Sequence, residues 1–313
     1  MGLPRQTVPL SPEQVADLNR KLSDLRHDIN NHLALMVAAL ELIRRKPEMV
    51  ERMVNNLTEQ PQKILDEIKK FSEDLERALR KPAGERRWAM LLDLRKCVGC
   101  HACTIACVSE NKLPPKLYYR PVYEYESGKY PTPARTFLPR PCMQCDKPPC
   151  VAACPVKGAE GATWKETKGI AAGTVPINYA KCIGCGKCVP ACPYGARTLD
   201  DGSYHSDGTP ELEKYETLPS FEYGKKWPRV GKNLPVGNAR KCHFCTHRLA
   251  NGMLPQCITS CIGRIGYFGD ESDAESLIAK VRKANKLQVL KAKAGTAPRV
   301  YYVAREKLEV IYG

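Results

Sequence analysis

The sixteen cysteines of this 313-residue chain fall into four groups of four, at 97/100/103/107, 142/145/150/154, 182/185/188/192 and 242/245/257/261, and none is left over. No other feature restricts the fold as much. A disulfide framework spreads cysteines apart to close long loops, whereas here a two-residue gap recurs in every group. Thiols this close together tend to share a metal. Every group also closes on a three-residue gap, so the four read as copies of one module.

The spacing discriminates between metals. A structural zinc ion takes four ligands, usually from two separated pairs such as C-x2-C with C-x2-C or H-x3-5-H. The stretch KCIGCGKCVPACPYGAR at 181–197 reads C-x2-C-x2-C-x3-C-P instead. In that run three thiolates wrap one [4Fe–4S] core and the fourth serves the other cluster of a pair. Pro193 ends the local turn and stops a helix from extending inward. Residues 97–107 repeat the run without the proline. Cys142-x2-Cys145-x4-Cys150-x3-Cys154-Pro155 stretches one gap, and Cys242-x2-Cys245-x11-Cys257-x3-Cys261 stretches it further, with Ile262 in the proline position. Iron–sulfur chemistry is the expectation, with structural zinc as the alternative.

These motifs also carry a resemblance. KCIGCGKCVPACPYGAR, CMQCDKPPCVAACPVKGA, ATWKETKGI, KCHFCTHRLANGMLPQC, YFGDESD and TAPRVYYV resemble the four-cluster iron–sulfur subunit of the molybdopterin oxidoreductases, which include dimethyl sulfoxide, polysulfide, thiosulfate and tetrathionate reductases. The likeness runs over about residues 88–305. Some members replace one cysteine of the third motif by tryptophan and carry a three-iron cluster; cysteine stands at every position here, so the resemblance implies four [4Fe–4S] clusters. It also implies an α+β fold of two ferredoxin-like dicluster modules with insertions, the first motif paired with the fourth and the second with the third. One cluster then takes Cys97, Cys100, Cys103 and Cys261, and its neighbour Cys107, Cys242, Cys245 and Cys257. The inner pair takes Cys142, Cys145, Cys150 and Cys192, then Cys154, Cys182, Cys185 and Cys188. The spacing gives partial support, since only 27 residues separate Cys154 from Cys182, room for a strand and a hairpin, while the first and fourth motifs must close around the inner pair.

The charge balance needs correcting for such cofactors. The formal net charge of +15 counts cysteines as neutral, but sixteen thiolates around four cores of about +2 each contribute about −8 and leave about +7. Most of the basic surplus lies beyond residue 90, where the clusters would be. No basic stripe is interleaved with aromatics in a nucleic-acid-binding pattern. The longest apolar run, LALMVAAL at 33–40, is far short of the roughly 20 residues that span a bilayer. Arg44-Arg45 and Arg86-Arg87 are not followed by an apolar stretch of useful length, so no export signal is read. The expected location is the cytoplasm, or the periplasm in the company of a signal-bearing partner, with any membrane association made through a partner.

Residues 1–87 read as a separate helical hairpin with its linker, ahead of an electron-transfer domain over 88–313. Val15, Leu18, Leu22, Leu25, Ile29, His32, Met36, Ala39 and Ile43 alternate gaps of three and four, a coiled-coil-like seam. Pro47 suits the start of a second helix. There Val50, Val54, Leu57, Pro61, Ile64, Ile68, Phe71, Leu75 and Ala78 keep the alternation, with a kink expected near Pro61. Two helices bury one seam and call for another surface, so docking or self-association is expected. KPAGERR at 81–87 is the linker. RHDINNHLALMVAALELI resembles the dimerisation and phosphoacceptor helix of histidine kinases, with His27 off the seam and facing solvent. The chain has no ATP-binding kinase domain, and a structural hairpin is the preferred reading.

Lys96, Lys181 and Lys241 each precede the first cysteine of a group, and only Pro141 breaks the pattern. A cation there offsets cluster charge and raises its potential, one of the levers that spread such potentials over roughly −700 to +450 mV; otherwise it is a solvated loop lysine. His101, His243 and His247 sit within motifs that already have four cysteines, so hydrogen bonding to cluster sulfur or surface exposure, rather than ligation, is expected of them. Arg197, Trp164, Trp227, Tyr301 and Tyr302 are expected to pack the protein. The polar segments 112–133 and 198–240 read as insertions that wrap over the clusters or meet a partner.

No nucleophile with a supporting base, no phosphate loop and no substrate-binding signature is present. The expected function is electron transfer within an oxidoreductase of anaerobic respiration. Single electrons would pass between a molybdopterin-containing catalytic subunit and a quinone-linked membrane subunit, cytochrome or other redox partner. A redox-sensing regulator that signals through the hairpin is the alternative, and a free-standing polyferredoxin a third.

Overall fold

The computed structural model describes residues 12–45, 50–51, 54–55, 57–66, 86–157, 161–251, 253–305 and 308. The chain divides into two compact units, residues 1–83 with 250–253, and residues 84–249 with 254–313.

In the first unit one helix runs from Pro12 to Arg45, and residues 57–66 are helical through Pro61. His32 Nδ1 lies 2.8 Å from Gln60 Oε1 and ties the two stretches together. Along the first seam Ala39 is buried and Leu25, Ile29, His32, Met36 and Ile43 are half-buried. Off it, Leu33, Leu35, Val37 and Leu40 are exposed; Leu22, a seam position, is exposed as well. His27 stands on the solvent side, with Asn31 Nδ2 3.1 Å from its Nδ1. Ile68, Phe71, Leu75, Ala78, Pro47 and linker residues 81–85 lie outside the described residues.

Among the described residues the second unit contains seven short strands, β1 (Trp88–Asp93), β2 (Val122–Ser127), β3 (Ala134–Pro139), β4 (Thr198–Leu199), β5 (Ala239–Arg240), β6 (Gly266–Asp270) and β7 (Val300–Val303). β1 is the centre of a three-stranded sheet, antiparallel to β6 and parallel to β7. Its sequence WAMLLD is apolar almost throughout because both faces are covered. Met90 and Leu92 enter the main core with Val300 and Tyr302. Ala89 and Leu91, on the opposite face, pack with Ile278 of the helix Leu277–Ala284.

Strand pairing places the cysteine motifs. Leu92 pairs with Gly266 and Asp93 N–H donates to Ile265 O at 2.8 Å, so the first motif, just after β1, lies beside the end of the fourth, just before β6. Thr198 pairs with Arg240, which sets the end of the third motif beside the start of the fourth. Among the described residues between Cys154 and Cys182, where there is room for a strand and a hairpin, the strand-like pairing is one antiparallel bridge, Thr163 to Ile177.

Both polar segments carry structure of their own. Residues 112–133 contain β2, which forms a six-pair hairpin with β3. Residues 198–240 contain β4, β5 and a buried ion network of Asp200, Glu222, Arg229 and Arg240. Their order comes from fixed charges and so leaves no hydrophobic period in the sequence. Among the described residues no helix is long and apolar enough to cross a membrane.

Candidate iron–sulfur centres

The recurring three-residue gap runs over a helical turn in the first, second and fourth motifs and over a hydrogen-bonded turn in the third. Cys103 and Cys107 stand one turn apart on the buried face of the helix Ala102–Asn111. Cys150 lies on the turn Pro149–Ala152 and Cys257 on the turn Gln256–Thr259, with Cys154 and Cys261 just beyond. The two-residue gap is a bend. Its second residue has a positive φ in all four motifs, at Gly99 (68°), Gln144 (48°), Gly184 (67°) and Phe244 (58°), which turns the flanking cysteines toward one another.

Cys142, Cys145, Cys150 and Cys192 line one cavity, together with Tyr194 and Arg197. Cys154, Cys182, Cys185 and Cys188 line a second, which also includes Arg197. Each of these sets combines the second and third motifs. Cys107 lies within charge–charge reach of Cys242, Cys245 and Cys257, and Cys97 within reach of Cys103 and Cys261. Cys100, in the same loop as Cys97, is exposed, as is Cys185.

The sets also adjoin one another. Cys103 is an electrostatic neighbour of Cys257, Cys242 of Cys142, and Arg197 is a neighbour of both Cys150 and Cys188. These neighbours run in order from Cys97 and Cys103 through Cys257, Cys242 and Cys142 to Cys150 and Cys188.

The donor chemistry fits a cationic core. Burial first, then the adjacent Cys142 sulfur, pushes the Cys145 and Cys242 thiols up to about 12. Burial likewise raises Cys107 and Cys245 well above the ordinary thiol range. Such groups ionise together only around bound positive charge. A tetrahedral zinc with bonds of about 2.3 Å holds its sulfurs about 3.8 Å apart. Among the described residues no group of three His, Cys, Asp or Glu side chains is placed to hold one ion. Sixteen cysteines in four such motifs, eight of them lining two cavities in sets of four, fit four [4Fe–4S] clusters.

The histidines serve the scaffold. His243 is buried, with Nε2 3.0 Å from Asn111 Oδ1 and Nδ1 accepting from Thr246 N–H at 3.1 Å. His247 Nε2 lies 2.8 Å from Glu110 Oε1, and His101 is an exposed residue at the start of its helix. The three register lysines have different surroundings. Lys96 is exposed near Asp93, Lys181 is half-buried, and Lys241 is fully buried, donating from Nζ to Cys242 O at 2.9 Å. Trp227 is buried and donates from Nε1 to Glu222 O at 2.8 Å, and Tyr302 is buried in the core. Sequence reasoning missed Arg120, which is 1% exposed and donates from Nη1 to Cys257 Sγ at 3.3 Å. Nothing around Arg120 in the sequence distinguishes it from a surface arginine.

The ferredoxin-type ligand sets and the paired motifs define a multi-cluster electron-transfer protein. Residues 175–198 match the 4Fe-4S binding domain family, and residues 227–271 match the 4Fe-4S dicluster domain family. The sequence is 49% identical to the B subunit of selenate reductase from Mesobacillus selenatarsenatis, over 86% of its own length and 90% of the relative's. It is 35% identical to the B subunit of tetrathionate reductase from Salmonella typhimurium, over 69% and 72%, and 33% identical to the B component of polysulfide reductase from Wolinella succinogenes, over 71% and 96%. The protein belongs to the family of iron–sulfur electron-transfer subunits of molybdopterin-type reductase complexes. These relatives are reductase subunits, which favours the relay over the redox-sensing regulator.

Proposed function

We infer that residues 88–313 form a linear four-cluster relay and that residues 1–87 form a separate docking element. The four ligand sets are Cys97, Cys100, Cys103 and Cys261; Cys107, Cys242, Cys245 and Cys257; Cys142, Cys145, Cys150 and Cys192; and Cys154, Cys182, Cys185 and Cys188. The observation that carries this reading is the pair of cavities, each lined by four cysteines drawn from two different motifs. A bound [4Fe–4S] cluster accepts and gives up one electron at a time.

The chain's own residues set the route. The helical turns present paired thiols to adjacent sets, and buried side chains such as Met143, Tyr194 and Phe244 keep water from the two middle ones. Exposed Cys100 and Cys185 give each end of the line a way out, flanked by the exposed apolar residues Val98 and Ile183. One end would meet a molybdopterin-containing catalytic subunit and the other a quinone-linked membrane subunit or cytochrome. The hairpin would dock on a partner or on a second copy. The complex would lie at the membrane, in the cytoplasm or carried to the periplasm by a signal-bearing partner. Relatives named for selenate, tetrathionate and polysulfide share this subunit, and the choice of substrate is assigned to the catalytic partner.

The test is iron content together with turnover. Anaerobically purified chain should hold about sixteen irons and sixteen acid-labile sulfides. It should bleach with dithionite and yet reduce no selenate, tetrathionate or polysulfide until its partner is restored. Stoichiometric zinc without charge-transfer absorption, or saturable substrate reduction by the chain alone, would overturn the reading.

A further inference from the structure

Six arginine and lysine side chains are buried among the described residues: Arg120, Arg197, Arg229, Arg240, Lys241 and Arg299. Three have carboxylate partners, Arg229 and Arg240 on Asp200, and Arg299 on Asp146. Arg120, Arg197 and Lys241 make no ion pair with a carboxylate among the described residues. A buried cation without countercharge is strongly unfavourable, so the negative charge that keeps these three in place must come from elsewhere.

Their surroundings supply it as sulfur. Arg120 reaches Cys257 Sγ at 3.3 Å and Met90 Sδ at 3.1 Å, while its Nε and Nη2 have no partner. Its electrostatic neighbours include Cys103 and Cys97 on one side, in the adjoining ligand set, and Cys107 on the other. Arg197 lines the cavity of Cys142, Cys145, Cys150 and Cys192 as well as that of Cys154, Cys182, Cys185 and Cys188. Its Nη2 donates to Thr163 Oγ1 at 2.8 Å and its Nε is unpartnered. Lys241 lies where the two modules join. Its Nζ donates to Cys242 O at 2.9 Å and approaches Gln144 Oε1 at 3.4 Å, and it acts on the thiols of both Cys242 and Cys150. The line of four sets has three gaps, and each gap holds one of these cations.

Resting on the ligand sets proposed above, we propose that Arg120, Lys241 and Arg197 are positioning residues for charge, one in each gap. Each favours the electron-bearing state of the two clusters it separates and so raises both of their potentials relative to a neutral gap. An added electron makes a cluster more negative, and a fixed cation shared by two clusters stabilises it on either side. The effect is local, because it falls with distance along the line.

The test uses the full chain, purified anaerobically, with each cluster's potential followed by paramagnetic resonance during stepwise reduction. Signals are assigned through single Cys→Ser variants of each set. Arg197→Gln should keep the iron content and lower the potentials of the two sets that Arg197 separates. A shift of about tenfold in their oxidised-to-reduced ratio at fixed potential is expected, about 59 mV for one electron. The other two sets should be unmoved, and Arg197→Lys should recover most of the shift. Arg120→Gln should displace the opposite pair, and Lys241→Gln the middle pair. Unchanged potentials with full iron, or equal shifts in all four sets, would overturn the inference. If no glutamine variant holds iron, the Arg197→Lys and Lys241→Arg exchanges decide: potentials that stay in place support charge, and a tenfold displacement refutes it. Absence of four cluster signals in the unaltered chain would instead overturn the ligand sets, and the inference with them.

Discussion

Arg240 donates from Nη1 to the Asp200 carboxylate at 2.8 Å, and both side chains are fully buried. Arg229 reaches the same carboxylate from Nη2 at 2.8 Å. Burial works to raise the Asp200 carboxyl, but the two guanidiniums outweigh it and hold the group below its usual range. A carboxylate held down by the fold contributes its stability in full above its unfolded value of about 3.9 and loses it as the pH falls through the folded value. Asp200→Asn should therefore flatten the loss of stability below about pH 4. It should also cost about 3–5 kcal/mol at neutral pH by leaving two buried cations undercompensated. Urea unfolding, repeated from neutral pH down to about pH 3, checks both; parallel acid limbs in the two proteins would exclude Asp200 as the source.

Cys192 lines the cavity of Cys142, Cys145 and Cys150, although its sequence neighbours Cys182, Cys185 and Cys188 line the other. Cys192→Ser should alter the magnetic signal of the first set and spare that of the second. Damage confined to the second set would mean that motifs do not exchange their last cysteine.

Gly184 sits between Cys182 and Cys185 at φ +67°, and a Cβ there would meet the carbonyl oxygen of Gly237 at 2.4 Å. Gly184→Ala should add about 1–2 kcal/mol of backbone strain on top of that clash. The expected result is a loss of about four of about sixteen irons, since one loop supplies one set. Iron analysis at full protein recovery measures it.

Removal of residues 1–80 should leave the iron content and all four signals unchanged while weakening assembly with the partner or a second copy. Anaerobic size-exclusion chromatography with iron analysis distinguishes the outcomes. Lost clusters would make this segment part of the core, and unchanged assembly would remove its proposed docking role.

The ligand groups were legible because each rests on a local rule. One helical turn separates Cys103 from Cys107, and a four-residue bend joins Cys182 to Cys185, so the spacing survives in the sequence. The elements that carry the motifs were not. β4 and β5 are two residues each, too short for alternation to register. β1 is joined in parallel to β7 some two hundred residues later, a pairing that no local signal encodes. Arg197 reads as a packing residue because a sequence does not show that it borders two cavities. Of the three register lysines, each directly before the first cysteine of its motif, only Lys241 is fully buried, and its position comes from the pairing of Thr198 with Arg240 next door.

The positive φ shared by Gly99, Gln144, Gly184 and Phe244 bears on how such a protein can change over generations. At 99 and 184 a first carbon beyond the backbone would strike the Phe137 ring or the Gly237 carbonyl, so those positions are closed to drift. At 144 and 244 the same bend already bears a side chain. Gln144 fastens Val175 N–H and Cys242 O, and Phe244 stacks edge-on against Phe268. A lineage can exchange those two for glycine with no backbone penalty, losing only what the side chain holds. The repeated module is thus two kinds of copy: one pair frozen by its neighbours, the other free to acquire tasks of its own.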